Sequence, residues 1–587
     1  MILILIYVKH FGEITKKWYF MDSQLELKKI VLENAVKYNG KADQKSVFAV
    51  ILGQLPEYRT KIKELQEILP KMILDINNLN IDLQKEELLK LNPDFFNKTE
   101  EKKERNIFNF LNIKKDQKII SCFPPGPEKY FHIGHSKAIF LNYLLAEEYG
   151  GEFYLRFEDT NPKLVKPEFY KIMQEDISWL GITPKKVVYA SDYIDLLKEM
   201  AIKLIKKDKA YVCFCDSETI SKNREEKISC SCRNSTIEEN LKNFADMEKF
   251  PEGKATLRLK IDISHKNTRM RDPSIFRVID TEHPRIGNKH RNYPTYDFQN
   301  AVLDGYLNTT HRFRTVEFEM ASELHHYIRK ELGLFDTYTY EFARFNLKGM
   351  ESSGRVIREK VNSGELIGWD DPSLPTLRAL KRRGFTPDAI KQLVIESGIT
   401  KNSGTEITWD TLIKYNKRVL NDSSKRYFFI KDPIEIEVIN DPKQKYSLKI
   451  HPNLDLGLRN FISNGRYYLE KEDVDQFKEN DLIRLMDNIN FRYLKNNYEY
   501  VSTDYLDFKK ENSESKKIIH FLPADDSQLV TVTIFTPDHK LIKGIAEKNI
   551  ENLIIGDIIQ FERFGFCRLD SITEENKNKV YNFWFAH

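Results

Sequence analysis

The sequence predicts a multidomain protein with an α/β core of parallel strands, a helical N-terminal region and a β-rich C-terminal region. Apolar residues recur at three- and four-residue spacing over Leu25–Ala35, which is typical of helices. The run Ile119–Phe123, a Pro/Gly turn and an apolar-patterned helix at His135–Tyr149 follow one another in the order that opens a parallel α/β unit. Beyond Tyr427, short alternating runs such as Ile434–Val438 predict one or two β-barrels or sandwiches.

The composition is that of an ordinary globular protein. The 587 residues include 92 Lys+Arg and 88 Asp+Glu, a net charge of +4, and 41% are hydrophobic. This balance excludes a histone-like polycation, and the length excludes a small disulfide-stapled scaffold. Six cysteines, four of them clustered, indicate a reducing compartment. The apolar run Met1–Val8 is too short for a membrane span and lacks signal-peptide features, so we expect a cytoplasmic protein without a membrane segment.

The domain organisation along the chain follows from changes between helix-like and strand-like residue patterns. A second strand at Glu152–Phe157 and helices at Lys166–Leu180 and Asp195–Lys207 extend the parallel core. The cysteine-bearing stretch looks inserted, because a β-like run resumes at Asp297–Asp304. The predicted domains are an uncertain extension (1–20) before Met21, a helical domain (21–115), the first core half (116–211), the insertion (212–292), the second core half (293–365), a helical region (366–426) and the β-rich region (427–587).

The segment Phe123–His135 carries the strongest chemical signal. His132 and His135 flank Gly134 where a loop feeds a helix N-terminus. Backbone N–H groups, the helix dipole and two imidazoles could converge there on one phosphate, and Gly134 would let a base lie against bare backbone. Two surface histidines without a role are the alternative interpretation.

Several ordered motifs carry a resemblance to a known family. They are Phe123–His135, Arg156–Pro162, Tyr293–Phe298, Gly368–Arg378 and Ile519–Asp525. On these motifs the chain resembles class I aminoacyl-tRNA synthetases, and within them the glutamyl-tRNA synthetases of archaeal and eukaryotic type. The resemblance runs from about Leu25 to His587. It implies a Rossmann-like class I core, an inserted domain that grips the tRNA acceptor end, a helical N-terminal domain and C-terminal β-barrels that read the anticodon.

The function implied by the resemblance is that of a glutamate–tRNA ligase. Such enzymes activate L-glutamate with ATP and Mg²⁺ to glutamyl-adenylate and transfer it to the 3′ end of tRNA(Glu) in translation. A monomer is expected, with the N-terminal helical domain available to a partner protein. Two alternatives stay open: a degenerate paralogue that binds tRNA or a partner without charging it, and a glutaminyl-tRNA synthetase.

The resemblance also implies roles for particular residues. His132, His135 and Arg355 would be catalytic. Arg314 would bind the side-chain carboxylate of glutamate, since a planar guanidinium suits that group. The ATP-binding set would be Pro125, His132, Gly134, His135, Ser353, Gly354 and Arg355; the glutamate-binding set Glu158, Tyr296, Asn300 and Arg314; and the tRNA-binding set Asp370, Arg378 and Arg382.

Three departures from the family pattern put full activity in doubt. Cys122 stands where the family usually has an arginine that reaches the substrate carboxylate, and a neutral thiol cannot replace that charge. The mobile loop, usually K-M-S-K-R, is best matched by Glu351–Arg355 and lacks both lysines. Lys129 replaces a glycine in the approach to ATP.

Cys213, Cys215, Cys230 and Cys232 form two C-x-C pairs separated by fourteen residues. Four thiolates can build a tetrahedral zinc site that stabilises a small insertion without its own core. Such a zinc would be structural, because four protein ligands leave no open position. Reduced free thiols are the alternative.

Overall fold

The computed structural model describes residues 24–38, 40–93, 95, 106–114, 117–343, 345, 348, 354–401, 407–495, 497–510 and 516–587. The predicted extension at residues 1–20 lies outside them. The chain divides into two compact units, the first ending at Asn106 and the second running from Ile107 to His587. None of the helices in the described part of the chain is long and apolar enough to cross a membrane.

The first unit is helical, as the spacing of its apolar residues predicts. Its core is formed by residues such as Leu27, Val31, Leu65 and Leu88, which are almost fully buried. Buried Gln84 donates to the carbonyls of Gly40, Ile76 and Leu79 and so satisfies the turns between helices. The helices are α1 (24–37), α2 (Gln44–Gln54), α3 (Ile62–Asn77) and α4 (Ile81–Leu91).

The second unit is built on a parallel sheet, which confirms the predicted α/β core. The strands lie in the order β3-β2-β1-β8-β9, and every pairing among them is parallel. They are β1 (Ile120–Phe123), β2 (Glu152–Phe157), β3 (Lys186–Tyr189), β8 (His311–Thr315) and β9 (Tyr338–Phe342), with helices α5 (Ile133–Glu148), α6 (Pro167–Trp179), α7 (Ile194–Lys206), α10 (Tyr296–Tyr306) and α11 (Glu319–Leu332).

The predicted β-like run at Asp297–Asp304 is wrong, because this segment is helix α10. Residues 298–305 are all buried, including the polar Gln299, Asn300 and Asp304, so no solvent-exposed face marks the helical period in this stretch. At Gly305 an added Cβ would lie 2.8 Å from the Leu334 Cβ and 2.9 Å from the Phe335 carbonyl oxygen. Close packing at the end of the helix therefore requires glycine.

The insertion between the two halves of the core is a small antiparallel sheet with two helices. Its strands pair in the order β4-β5-β6-β7. They are β4 (Ala210–Cys213), β5 (Thr256–Leu259), β6 (Ser274–Val278) and β7 (Asn292–Pro294), with α8 (Ser217–Glu226) and α9 (Ile237–Ala245).

Helices follow the core, and two β-rich layers complete the chain as the alternating pattern predicts. The helices are α12 (Gly354–Asn362), α13 (Leu377–Arg383), α14 (Pro387–Ser397) and α15 (Trp409–Asn421). The sheets have the orders β10-β23-β24-β25-β21-β22-β11 and β19-β16-β17-β18-β12-β15-β20, beside the hairpin β13-β14.

The elements of this region are β10 (Arg426–Tyr427), β11 (Phe429–Ile430), β12 (Pro433–Ile439), β13 (Lys445–Lys449), β14 (Leu458–Ile462), β15 (Arg466–Glu470), α16 (Lys471–Val474), β16 (Leu482–Leu485), β17 (Asn490–Leu494), β18 (Asn497–Ser502), α17 (Tyr505–Lys510), β19 (Lys516–Ile519), β20 (Leu522–Pro523), β21 (Leu529–Phe535), β22 (Leu541–Glu547), β23 (Ile558–Phe561), β24 (Gly565–Glu575) and β25 (Asn578–Phe585).

The two central strands of the parallel sheet separate early. β1 pairs with β8 only at Ser121 and His311 within the described ladder, so further along β8 needs another partner. Asn142 of α5 supplies it: its amide donates to the Phe313 carbonyl at 2.9 Å and accepts from the Phe313 N–H at 3.0 Å. The strand order changes direction at this gap, which is where open α/β sheets bind their ligands.

Replacing Asn142 with leucine should destabilise the core, because it leaves the buried N–H and C=O of Phe313 unpaired. The expected cost is roughly 1–3 kcal/mol for each unpaired group. A lower midpoint of thermal unfolding, with exposed Asn578→Leu as the matched control, checks this. An unchanged midpoint for Asn142→Leu would show that the amide does not join α5 to β8.

Candidate active site

The candidate site lies at the carboxyl ends of β1 and β8, beside the gap between them. The Pro-rich turn after β1 is held against the end of β2, where the Glu158 N–H donates to the Pro125 carbonyl at 2.8 Å. Pro125 is buried and Lys129, which belongs to the same turn, is exposed. The turn leads directly into α5, so the helix N-terminus points toward the gap between the strands.

His132 and His135 cap α5 reciprocally. Nδ1 of His132 accepts from the Gly134 N–H at 3.0 Å, and Nδ1 of His135 accepts from the His132 N–H at 3.1 Å. Since each Nδ1 accepts, the neutral rings carry their proton on Nε2. Burial, with the neighbouring His132 and Lys129, lowers the pKa of His135 well below its usual value. His135 is therefore a neutral hydrogen-bond donor at pH 7.

Position 134 requires glycine, because a larger residue would collide with its neighbours. An added Cβ would lie 2.7 Å from the His132 ring and 2.8 Å from the Phe345 carbonyl oxygen. The sequence predicts bare backbone at Gly134, against which a nucleotide base could lie. In the structure, the space that a side chain at position 134 would occupy is instead filled by the His132 imidazole and by the Phe345 carbonyl oxygen.

The histidine loop is also fixed from its other side. The N–H of Ile133 donates to the Pro375 carbonyl and the N–H of Leu377 donates to the Phe131 carbonyl, each at 2.9 Å. Tyr130 stacks on Trp369 with ring centroids 4.8 Å apart. The motif Gly368–Arg378 thus positions the histidine loop.

A buried network of charged side chains lies on one face of the parallel sheet. Arg156 of β2 donates to Glu158 and to Asp304, both at 2.8 Å, and to Asn300 at 3.1 Å. Arg312 of β8 donates to Asn300 and, at 2.5 Å, to Asp304. The other oxygen of Glu158 accepts from the amides of Gln299 and, at 2.6 Å, Asn300.

Electrostatics set the protonation of this network. Burial alone would raise the pKa of Asp304, but Arg312 and Arg156 lower it below its usual range. Burial raises the pKa of Glu158 and outweighs the opposing effect of the arginines. Cys122, which neighbours Arg312 in the sheet, has its thiol pKa raised by burial to about 11. It is therefore neutral and supplies no cation.

Arg314, two residues beyond Arg312, has its own set of partners. It donates to the Ser322 hydroxyl, which donates to Glu341 at 2.5 Å, and its guanidinium lies 3.7 Å from Glu341. Burial and the charge of Arg312 lower the pKa of Arg314 to about 10. Tyr296, the first residue of α10, is 36% exposed, and Asn300 lies one turn further along the same helix.

The structure brings the predicted glutamate-binding set together and leaves part of the predicted ATP-binding set unplaced. Glu158 and Asn300 are bonded to each other, and Arg314 lies on β8, two residues beyond Arg312, which also bonds Asn300. Ser353 and the rest of 351–353 lie outside the described residues. Gly354 begins α12 beside Trp369, and Arg355 is exposed on that helix.

The predicted tRNA-binding residues all have protein partners. Arg382 bonds Asp370 at 2.8 Å and Asp570 at 2.8 and 2.9 Å, and it covers the Trp584 ring at 3.9 Å. Arg378 bonds Glu175 at 2.5 Å. These contacts join α13 to the β-rich region and to α6. The aromatic residues Tyr467, Phe521 and Phe561 of the β-rich region are core residues.

The sulfur atoms of the four clustered cysteines lie close together. Their Sγ atoms all lie within 4.8 Å of one another, and those of Cys213 and Cys230 are 3.7 Å apart. A tetrahedral zinc with Zn–S bonds of about 2.3 Å spaces its sulfurs about 3.8 Å apart, so this donor set fits that ion. Arg258 is buried beside them, 3.8 and 3.9 Å from two of the sulfurs. Helix α8, between the two pairs, has no buried residue among those described.

Sequence reasoning missed Arg312 and Asp304. The spacing of 312 and 314 on a strand, and of 300 and 304 on a helix, could have revealed both as members of one face. Because residues 297–304 were assigned as a strand, the helical spacing was hidden.

Comparison with known proteins now defines the class. The model of class I (E and Q) tRNA synthetase catalytic domains matches residues 118–422, and models of the anti-codon binding domain of the same class match 424–506 and 495–570. The chain belongs to the class I tRNA synthetases of the E and Q group, as the sequence motifs predict.

Its relatives are similar over nearly their full length. A Glutamate--tRNA ligase of Pyrococcus abyssi is 36% identical over 94% of this chain and 98% of its own. A Glutamate--tRNA ligase of Methanocaldococcus jannaschii is 37% identical over 92% of this chain and 96% of its own. A Glutamate--tRNA ligase of Pyrococcus horikoshii is 36% identical over 96% of this chain and 100% of its own.

Gly134→Ala should slow amino-acid activation by about 100-fold, since the added methyl group displaces the His132 ring by an ångström or so. ATP–pyrophosphate exchange with tRNA present measures the effect. Gly53→Ala is the control, because an added Cβ there meets nothing within 4 Å. Equal rates for both variants would contradict the packing argument.

Proposed function

We propose that the chain is a glutamate–tRNA ligase, which joins L-glutamate to ATP as glutamyl-adenylate and then transfers the glutamyl group to the 3′ end of tRNA(Glu). The observation that carries this function is the arginine-containing centre at the end of β8, beside a helix N-terminus capped by two histidines. The first suits a carboxylate and the second suits a phosphate. The relatives named above support the same function.

The histidines act on the activation step. A carboxylate oxygen of glutamate attacks the α-phosphorus of ATP, the bond to the bridging oxygen breaks, and pyrophosphate leaves. Negative charge builds on the oxygens around phosphorus. Nε2–H of His132 and of His135 would donate to these oxygens, and the positive end of the α5 dipole would favour their negative charge. Mg²⁺ enters with ATP as its counter-ion. Pro125, Gly134, Gly354 and Arg355 complete the proposed ATP site, and Ser353 belongs to it by resemblance.

Glutamate would lie between the charged network and Tyr296. Glu158 would accept from the substrate α-amino group, because its carboxylate keeps one lone pair beyond those used by Arg156, Gln299 and Asn300. Arg314 would donate to the side-chain carboxylate, and Tyr296 would line the opening. A cationic donor favours glutamate over glutamine, which argues against the glutaminyl alternative.

The remaining regions are proposed to hold tRNA. The insertion would grip the acceptor end, residues 366–426 would contact the stem and the β-rich region would read the anticodon. We place the protein in the cytoplasm as a monomer, and docking of a partner on the N-terminal helices stays a prediction. The roles of Asp370, Arg378 and Arg382 toward tRNA also stay predictions.

Charging of total tRNA tests the proposed function. The protein should attach labelled glutamate but not labelled glutamine, and His132→Ala should lower the rate by about 10²–10³-fold through loss of one donor. Loss of the helix cap costs about 1 kcal/mol, so His132→Asn, which keeps a capping oxygen, separates capping from catalysis. His326→Ala, at an exposed histidine of α11, is the control. A wild-type protein that binds tRNA but charges neither amino acid would favour the degenerate paralogue.

Zinc in the cysteine cluster is a separate proposal, supported by the fit of the four sulfurs. Elemental analysis should find one zinc per chain, and Cys230→Ser with Cys232→Ser should remove it. The double variant should also be cleaved faster by protease around α8, because the ion would link the end of β4 to the turn at Cys230. Cys567→Ser, in the C-terminal core, is the control. Zinc well below one per chain in untreated protein would refute the proposal.

A further inference from the structure

Strand β8 presents two arginines to the same face of the sheet. Arg312 and Arg314 are two residues apart, so their Cα atoms are about 6.6 Å apart and their side chains leave the strand in the same direction. Phe313, between them, points to the other face, where it packs in the main core. Both arginines are more than nine-tenths buried, with 3% and 6% of their surface exposed.

Each of these arginines has an unused donor. The terminal nitrogens of Arg312 bond Asn300 and Asp304, and those of Arg314 bond Ser322 and lie near Glu341. The Nε–H groups of both are buried and have no hydrogen-bond partner among the described residues. A buried donor without a partner is unfavourable, so two of them side by side indicate an acceptor that the protein itself does not supply.

The charges around the pair favour an anionic acceptor. Asp304 is shared between Arg312 and Arg156; Arg156 also pairs with Glu158, whereas Arg312 has no second carboxylate partner among the described residues. The lowered pKa of Arg314 reflects its burial and its closeness to Arg312. Cys122 of β1 is next to Arg312 of β8 in the sheet, because Ser121 pairs with His311 in a parallel register. Its buried thiol is neutral. A carboxylate between the two arginines would relieve their repulsion.

An exposed side chain, that of Tyr296, lies on the helix packed beside the two arginines. Tyr296 begins the helix that also carries Asn300 and Asp304. Its ring lies 5.7 Å from that of Phe318, over which the Arg314 guanidinium lies at 5.9 Å. Tyr296, which is 36% exposed, and the Arg314 guanidinium thus both lie near the Phe318 ring.

We propose that Arg312 is a specificity-determining residue, which binds the side-chain carboxylate of glutamate jointly with Arg314, each Nε–H donating to one carboxylate oxygen. This inference rests on the proposed function and adds to it. A glutamine side chain offers one acceptor oxygen and an NH₂ group, which would face one of the two N–H donors. The paired donors therefore reject glutamine more strongly than a single arginine does.

The test compares Arg312→Gln with Arg329→Gln in tRNA charging by the full-length protein. Arg329 is a matched control, because it is also 3% exposed, is paired with an aspartate, and has one buried nitrogen without a partner among the described residues. Arg312→Lys is the second variant, since it keeps a cation for Asp304 and preserves folding if the glutamine variant does not. Thermal unfolding is measured for all three.

Arg312→Gln is expected to raise KM for glutamate by about 10- to 100-fold, the loss typical of one charge-assisted hydrogen bond, with KM for ATP unchanged. The preference for glutamate over glutamine should fall in parallel. Arg312→Lys should show the same split between the two KM values, and Arg329→Gln should show neither change. If Arg312 were only structural, both glutamine variants would lose stability while KM for glutamate stayed at the wild-type value, and that result would overturn the inference.

A binding measurement separates this inference from the proposed function. If wild-type protein fails to charge glutamate, the proposed function fails, but calorimetry with a stable sulfamoyl analogue of glutamyl-adenylate still tests Arg312. Weaker binding of the analogue by Arg312→Gln than by wild type and Arg329→Gln would support the role of Arg312. Equal binding by wild type and both variants, or no binding by any of them, would refute it.

Discussion

The buried charges on one face of the parallel sheet constrain the rest of the catalytic region. Arg156 and Arg312 reach Asp304 from different strands, and Asn300 holds the two networks together from α10. Removing one member would leave another charge buried without its partner, which is costly. The sheet order, the position of α10 and the site are therefore parts of one arrangement.

The histidine loop shows how the site depends on distant parts of the chain. Its histidines cap α5, while its backbone bonds residues 375–377 and its Tyr130 stacks on Trp369. The next residues, Asp370 and Asp371, bond Arg382 and His539, and Arg382 continues to Asp570 in the β-rich region. A continuous set of contacts thus links the proposed anticodon-binding region to the proposed phosphate-binding loop.

Strong local patterns were enough to predict most elements. The order of strand, Pro-rich turn and helix predicted the parallel core, and alternation predicted β12 and β21. The helix at α10 was missed because residues 298–305 are buried all round and its polar residues face the buried charged network instead of solvent. Arg312 was missed because its role depends on β8 lying beside β1 and under α10, which no local spacing reveals. The contact of Arg382 with Asp570, 188 residues further along the chain, is likewise not revealed by local spacing.

The most direct test of the account is to let the protein choose among all twenty amino acids. The protein would be incubated with total tRNA, ATP, Mg²⁺ and an equimolar mixture, and the amino acid released from the tRNA ester would be identified by mass spectrometry. The account predicts glutamate alone, because the site is built around carboxylate recognition by arginines. Recovery of glutamine or another amino acid, or of none, would contradict it.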